Sequence, residues 1–248
     1  MSSPEKIVID DCIILGNAVP DEISDNRFTV CTAGYSSKHG LIRIYPVPTT
    51  AKMKRWNIME IPLEKNPKDK RFESWKVQDS KIDWRKLPER MRILDKLKDV
   101  EKRQLVAKLL SEFGVGCVEE LNEKKLSLGM VKPTILGHEL QPREEYDPSV
   151  QTTLDFTGLF LTRKNYPWIP KITYRCPSCK LEKPHNQQVV EWGFYEGMRN
   201  NPTNPQTVFE NARIDDPLWD KTFLVGNQNR FKRSFLIISV FRFKMSGK

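Results

Sequence analysis

The chain has 248 residues, 38% of them hydrophobic and 10% aromatic, with a formal net charge of +9 at pH 7. This supplies enough apolar sequence for one large core or two of ordinary size, and it excludes wholesale disorder. No apolar run approaches the roughly 18 residues of a membrane span, and Met1 to Lys6 lacks the layout of a secretory leader, so a soluble, cytoplasmic protein is expected.

Taken in chain order, Arg27 to Gly34 is β-rich, Ser36 to Gly40 supplies a turn, and Leu41 to Pro48 follows as a partner strand. In that strand Ile42 and Ile44 share one face, and Leu41, Arg43 and Tyr45 the other. Pro46 and Pro48 end it or place it at an edge. Met59 to Leu63 reads as a further short strand. Beyond it, Asp69, Arg71 and Glu73 would project on one face if extended; they suit a salt-bridged rim better than a ribose or metal site. From Pro88 to Phe113, Met91, Leu94, Leu97, Leu105, Leu109 and Phe113 recur at mostly helical steps, with Gly114 just past the end, and predict a helix or helix pair. A second short helix is expected at about Cys117 to Lys124. Strands resume at Thr153 to Leu161 and Ile172 to Arg175, and Thr222 to Asn227 with Ser234 to Phe243 reads as a closing hairpin. The β, then α, then β order predicts an α+β fold of two small antiparallel β-barrel units joined by a helical insert, divided at 1–80, 81–130 and 131–248.

Five cysteines in an unexported chain argue against a disulfide framework. Cys12, Cys31 and Cys117 sit among apolar neighbours and read as inert buried thiols. Cys176-Pro-Ser-Cys179 differs: two thiols two residues apart can close on one ion from a tight turn, and His185 lies six residues on. The set Cys176, Cys179 and His185 predicts a structural zinc site. His138, His39, Glu182, Glu191, Cys31 or a water could complete it, and a water would open a catalytic role with Glu191 as base. A metal-free turn and a redox dithiol are the competing readings.

The strongest charge signal is the end of the chain, where Lys221 to Lys248 carries seven Lys or Arg and no acid. With Gln228 to Arg233 as a hairpin tip, Arg230, Lys232 and Arg233 would meet phosphates while Phe231 stacks on a base, and Arg242 extends the set. The expected partner is single-stranded DNA or RNA. A metal-dependent nuclease, or a subunit whose basic face meets an acidic protein, are the alternatives. There is no phosphate-cradling glycine loop, no nucleophile elbow and no His-Glu-x-x-His motif, so catalysis has little support.

Several segments together resemble an uncharacterised prokaryotic family described as containing a dual OB domain. They are Val30 to Gly34 with Ile42 to Pro46, Asp69 to Ser74, Ser127 to Pro133, the Cys176, Cys179 and His185 run with Val190 to Trp192, and the Phe223 to Val240 close. The resemblance implies two OB-type barrels, a fold that often binds single strands, and an accessory place in prokaryotic defence or nucleic-acid processing; function does not follow from fold alone. The family's usual Asp-Trp-Glu stands here as Glu-Trp-Gly at Glu191 to Gly193, which puts a catalytic role there in doubt.

Overall fold

The computed structural model describes residues 4–24, 27–78, 84–144, 146, 162–229 and 231–245. The strand expected at Thr153 to Leu161 lies outside them. The chain divides into two compact units, one of residues 1–98 with 147–165 and one of 99–146 with 166–248.

In the first unit, β1 (Lys6–Asn17), β3 (Arg27–Ser36), β4 (Gly40–Pro48), β6 (Ser74–Val77) and β5 (Asn57–Lys65) pair in that order, and β5 returns to β1. The result is a closed five-stranded barrel, antiparallel except where β4 runs parallel to β6. That order is consistent with an OB-like barrel. Alternation explains its interior: Met59, Ile61 and Leu63 of β5 point inward with Ile9, Ile14, Ile42 and Ile44 and are fully buried. The expected β3–β4 hairpin is present, with Ser36 opposite Gly40 across a three-residue turn. Gly40 has φ 68°, a conformation in which a Cβ would be strained. The Asp11 carboxylate braces the turn by accepting from Ser36 Oγ at 2.6 Å and the Ser37 N–H at 2.8 Å. A short strand, β2 (Asp21–Ser24), pairs with β3 outside the barrel.

The stripe from Pro88 to Phe113 is not one helical region. A 3₁₀ turn (Leu87–Arg90) leads into β7 (Arg92–Lys96), which adds to β5 with Glu60 opposite Arg92 and Asn57 opposite Lys96. Helix α1 begins only at Asp99 and runs to Phe113. The backbone groups of an open β5 edge outweigh helical spacing at Met91, Leu94 and Leu97. The helix end is as expected, since a Cβ at Gly114 would collide with the Leu110 carbonyl.

The second unit contains α1 and α2 (Glu119–Glu123), so these helices are part of it and not a separate insert. Its strands form two three-stranded antiparallel sheets. One is β9 (Thr134–Pro142), β10 (Trp168–Arg175) and β11 (His185–Gln188); the other is β8 (Leu128–Val131), β12 (Trp219–Asn227) and β13 (Phe235–Lys244). Among the described residues neither sheet closes into a barrel. A bridge between Val189 and Ile237 joins them. Leu121 of α2 packs flat on Gly129 of β8, where a Cβ would come within 2.6 Å of its Cδ2. Helices α3 (Trp192–Asn200) and α4 (Thr207–Asn211) bury Phe194, Tyr195, Met198, Val208 and Phe209.

Candidate metal centre and basic hairpin

Strand β10 ends at Arg175, and the chain turns through Cys176 to Cys179, closed by Cys179 N–H donating to the Cys176 carbonyl at 3.2 Å. Arg175 holds the following loop by donating to the carbonyls of Leu181 at 2.9 Å and Glu182 at 2.7 Å. His185 then opens β11 opposite Tyr174. A third chain segment meets this turn. Ser178 N–H donates to the Gly116 carbonyl at 2.8 Å, which brings Cys117, between α1 and α2, against the pair.

His185 Nε2 lies 3.5 Å from Cys117 Sγ and 3.4 Å from Cys179 Sγ. Cys117, Cys176 and His185 offer ligand atoms all within 4.8 Å of one another, and this cluster could hold a metal ion. It is a built site: Cys117, Cys176 and His185 are only 7%, 5% and 8% exposed. The start of α2 aims backbone donors at the sulfurs, Val118 N–H at Cys176 and Glu119 N–H at Cys117. Burial and then the adjoining thiols push Cys176 up to about 12, and burial raises Cys117 as well. Burial, with the Arg175 charge, lowers His185 and so favours the neutral imidazole that ligates. A dication bound beside these sulfurs would invert the thiol preference, because it would stabilise thiolates directly.

Of the predicted set, Cys176 and His185 fall in this cluster with Cys117, while Cys179 touches it through His185; the other candidates lie elsewhere. His138 pairs with Asp215 at 2.7 Å and stacks on Phe209 with centroids 4.1 Å apart. Glu191, considered as a base, accepts the Val240 N–H at 2.8 Å and fixes the entry to α3 against β13. His39 and Cys31 belong to the first unit. The inert reading of Cys117 is corrected: its neighbours are apolar in sequence, but its Sγ faces the ligand set. The local hint was Gly116-Cys117 directly before a helix start.

The closing hairpin β12–β13 pairs from Trp219 with Lys244 to Asn227 with Phe235. Its apolar strand is core, with Ile237, Val240 and Phe241 at most 1% exposed. The tip is fastened by Asn227 Nδ2 donating to the Lys232 carbonyl at 2.7 Å and by turns at Phe231 and Ser234. Phe231 is 63% exposed, with Lys232 and Arg233 exposed beside it. Asn229, Phe231, Lys232, Arg233 and Ser234 line a shallow hollow there. Arg230 lies outside the described residues. Arg242 stands opposite Lys221 at the other end of the hairpin, roughly 24 Å along the strand from Phe235. Lys221 itself donates to the Asp216 carbonyl and sits in the field of Asp215, Asp216 and Asp220. Among the described residues the tail's cations therefore divide, with Lys232 and Arg233 at the tip and Lys221, Arg242 and Lys244 at a partly balanced base. Tyr174 connects the two features, packing on His185 at 5.4 Å and edge-on to Phe223 of β12 at 5.3 Å.

The Asp69 cluster is the salt-bridged structure preferred from sequence. Asp69 accepts from Arg71 Nε at 2.9 Å, Arg71 Nη2 at 2.5 Å and Ser74 Oγ at 2.6 Å.

Residues 9–108 match a family described as a domain of unknown function, DUF8758. The match spans roughly two fifths of the chain; it begins inside β1, takes in the other barrel strands of the first unit and ends inside α1. No curated protein matches the chain. Among the described residues, no helix is long and apolar enough to cross a membrane.

Proposed function

We propose that this chain is a non-catalytic nucleic-acid-binding protein that takes single-stranded DNA or RNA at the β12–β13 tip. The observation that carries the reading is Phe231, an aromatic ring held in solvent on a fastened turn with Lys232 and Arg233 adjacent. A ring in that setting stacks on a base, and the two cations neutralise its phosphates; stacking is typically worth about 1–3 kcal/mol per base. The metal is zinc, held by Cys176, Cys179, His185 and Cys117. Three sulfurs and one imidazole suit this ion, and four protein ligands close its coordination sphere. A closed sphere leaves no position for an activated water, so the ion's role is to fasten the α1–α2 connection to the β10–β11 turn. With Glu191 engaged by backbone, the features support an accessory subunit of a prokaryotic defence or nucleic-acid-processing complex over a nuclease.

The test is anisotropy of labelled single-stranded oligonucleotides with the full chain. Wild type should bind, and Lys232→Glu with Arg233→Glu should abolish binding while the thermal midpoint is unchanged. Equal affinity in wild type and variant would discard the tip as the site.

A further inference from the structure

The loop Asn66 to Glu73, between β5 and β6, is built unlike an ordinary exposed connection. Asp69 sits at its centre, 8% exposed, with its carboxylate taken by Arg71 and Ser74. Lys68 N–H donates to Asn66 Oδ1 at 3.1 Å, and Ser74 N–H to the Arg71 carbonyl at 3.0 Å. Lys65 lies over the Trp75 ring at 3.6 Å, donates to the Phe72 carbonyl at 2.7 Å, and stands 5.2 Å from the Phe72 centroid. This bracing holds out Phe72, which at 80% is the most exposed large hydrophobic residue among those described.

Within this loop the charge that meets solvent has one sign; outside it, exposed Glu5 acts on Lys65. Residues 65–76 carry five Lys or Arg and two acids. Both acids, Asp69 and Glu73, are buried, while Lys68 and Lys70 are exposed. A protein-docking surface gathers apolar residues around its anchor. Here the Lys65 ammonium stands by the ring and the exposed Lys68 and Lys70 precede it in the same loop, a setting that fits a planar group bearing anions.

We propose that this loop is a second single-strand contact, in which Phe72 stacks on a base and Lys68 and Lys70 take the flanking phosphates. The inference rests on the reading of the chain as a single-strand binder, and it gives each unit its own aromatic contact. Pre-formed bracing lowers the ordering cost of binding, so the loop contributes without rearrangement.

The test uses the full chain with labelled single strands of about 8 to 30 nucleotides. Phe72→Ala should weaken binding to the longer strands about 5- to 150-fold, the range a lost stack implies, at an unchanged thermal midpoint. Lys68→Glu with Lys70→Glu should flatten the log–log salt slope by about 1.4, or roughly 0.7 per phosphate. Ultraviolet crosslinking to thymidine-rich strands should mark the peptide that contains Phe72. Wild-type affinity and slope in both variants, with no crosslink there, would overturn the loop contact; if the tip variants still lose binding, the proposed function survives. Failure of wild type to bind any strand would overturn both. Phe72-dependent sedimentation with anionic vesicles, without an effect on strands, would also overturn the proposal, in favour of a membrane surface.

Discussion

Gly116→Ala is a small perturbation aimed at the metal centre from outside its ligand set. A Cβ at this position would stand 2.7 Å from Glu120 Oε1, 3.0 Å from Ser178 Oγ and 3.1 Å from Ser178 Cβ. Carbon atoms prefer about 3.5–4.0 Å, so Ser178 must retreat by about half an ångström or more. Glu120 must swing away as well, and it then loses the Cys117 N–H that it accepts at 2.9 Å. The retreat strains the Ser178 N–H bond to the Gly116 carbonyl, the contact that brings Cys117 to the Cys176–Cys179 turn. Metal–sulfur distances tolerate only about 0.2 Å. Overpacking of this kind costs about 1–3 kcal/mol, which corresponds to metal held about 5- to 150-fold less tightly. Competition against a chromophoric chelator reads this directly, and Ser178→Gly in the Gly116→Ala background should recover part of the loss. Wild-type metal affinity in Gly116→Ala would refute the claim that the two segments meet around one ion.

Other consequences follow from the same contacts. Cys117→Ser should leave zinc substoichiometric by elemental analysis, and substitution with cobalt should show a thiolate charge-transfer band weaker than that of wild type; full zinc retention would remove Cys117 from the ligand set. Leu121→Ala, at a fully buried position against Gly129, should cost about 2–5 kcal/mol in denaturant unfolding of the second unit. Burial alone would raise the Asp69 carboxyl, but its hydrogen bonds from Arg71 and Ser74 hold it below the usual carboxylate value. A depressed folded value contributes stability above the ordinary pKa of about 3.9 and loses it as pH falls through the lowered one. Asp69→Asn should therefore lower the thermal midpoint of the first unit at pH 7 and converge on wild type in strong acid; a constant gap across that range would contradict it.

The features legible in the sequence are those whose cause is local. Alternation through Ile42 and Ile44, with a glycine where φ must be positive, marked the β3–β4 hairpin. The Cys-x-x-Cys turn and the nearby His185 are six residues apart and declared themselves. What the sequence hid depends on distant partners. Met91, Leu94 and Leu97 keep helical spacing, yet β7 forms because the β5 edge, some thirty residues earlier, offers backbone groups to pair. Cys117 carries only a slight local sign, a glycine before it and a helix start after it; the Ser178 N–H bond to the Gly116 carbonyl is what brings this apolar thiol to the Cys176 turn. The tail's cations read as continuous along the chain, but Asp215, Asp216 and Asp220 surround Lys221 while Lys232 and Arg233 stay exposed.

The claim that the β12–β13 tip grips single strands is tested most directly by titrating a labelled oligonucleotide across salt concentrations with wild type and with Lys232→Glu, Arg233→Glu. Wild-type binding should weaken as salt rises, with a log–log slope of about −0.7 per neutralised phosphate, and the variant should lose measurable binding. Wild-type binding that is indifferent to salt, or a variant that binds as tightly as wild type, would contradict it.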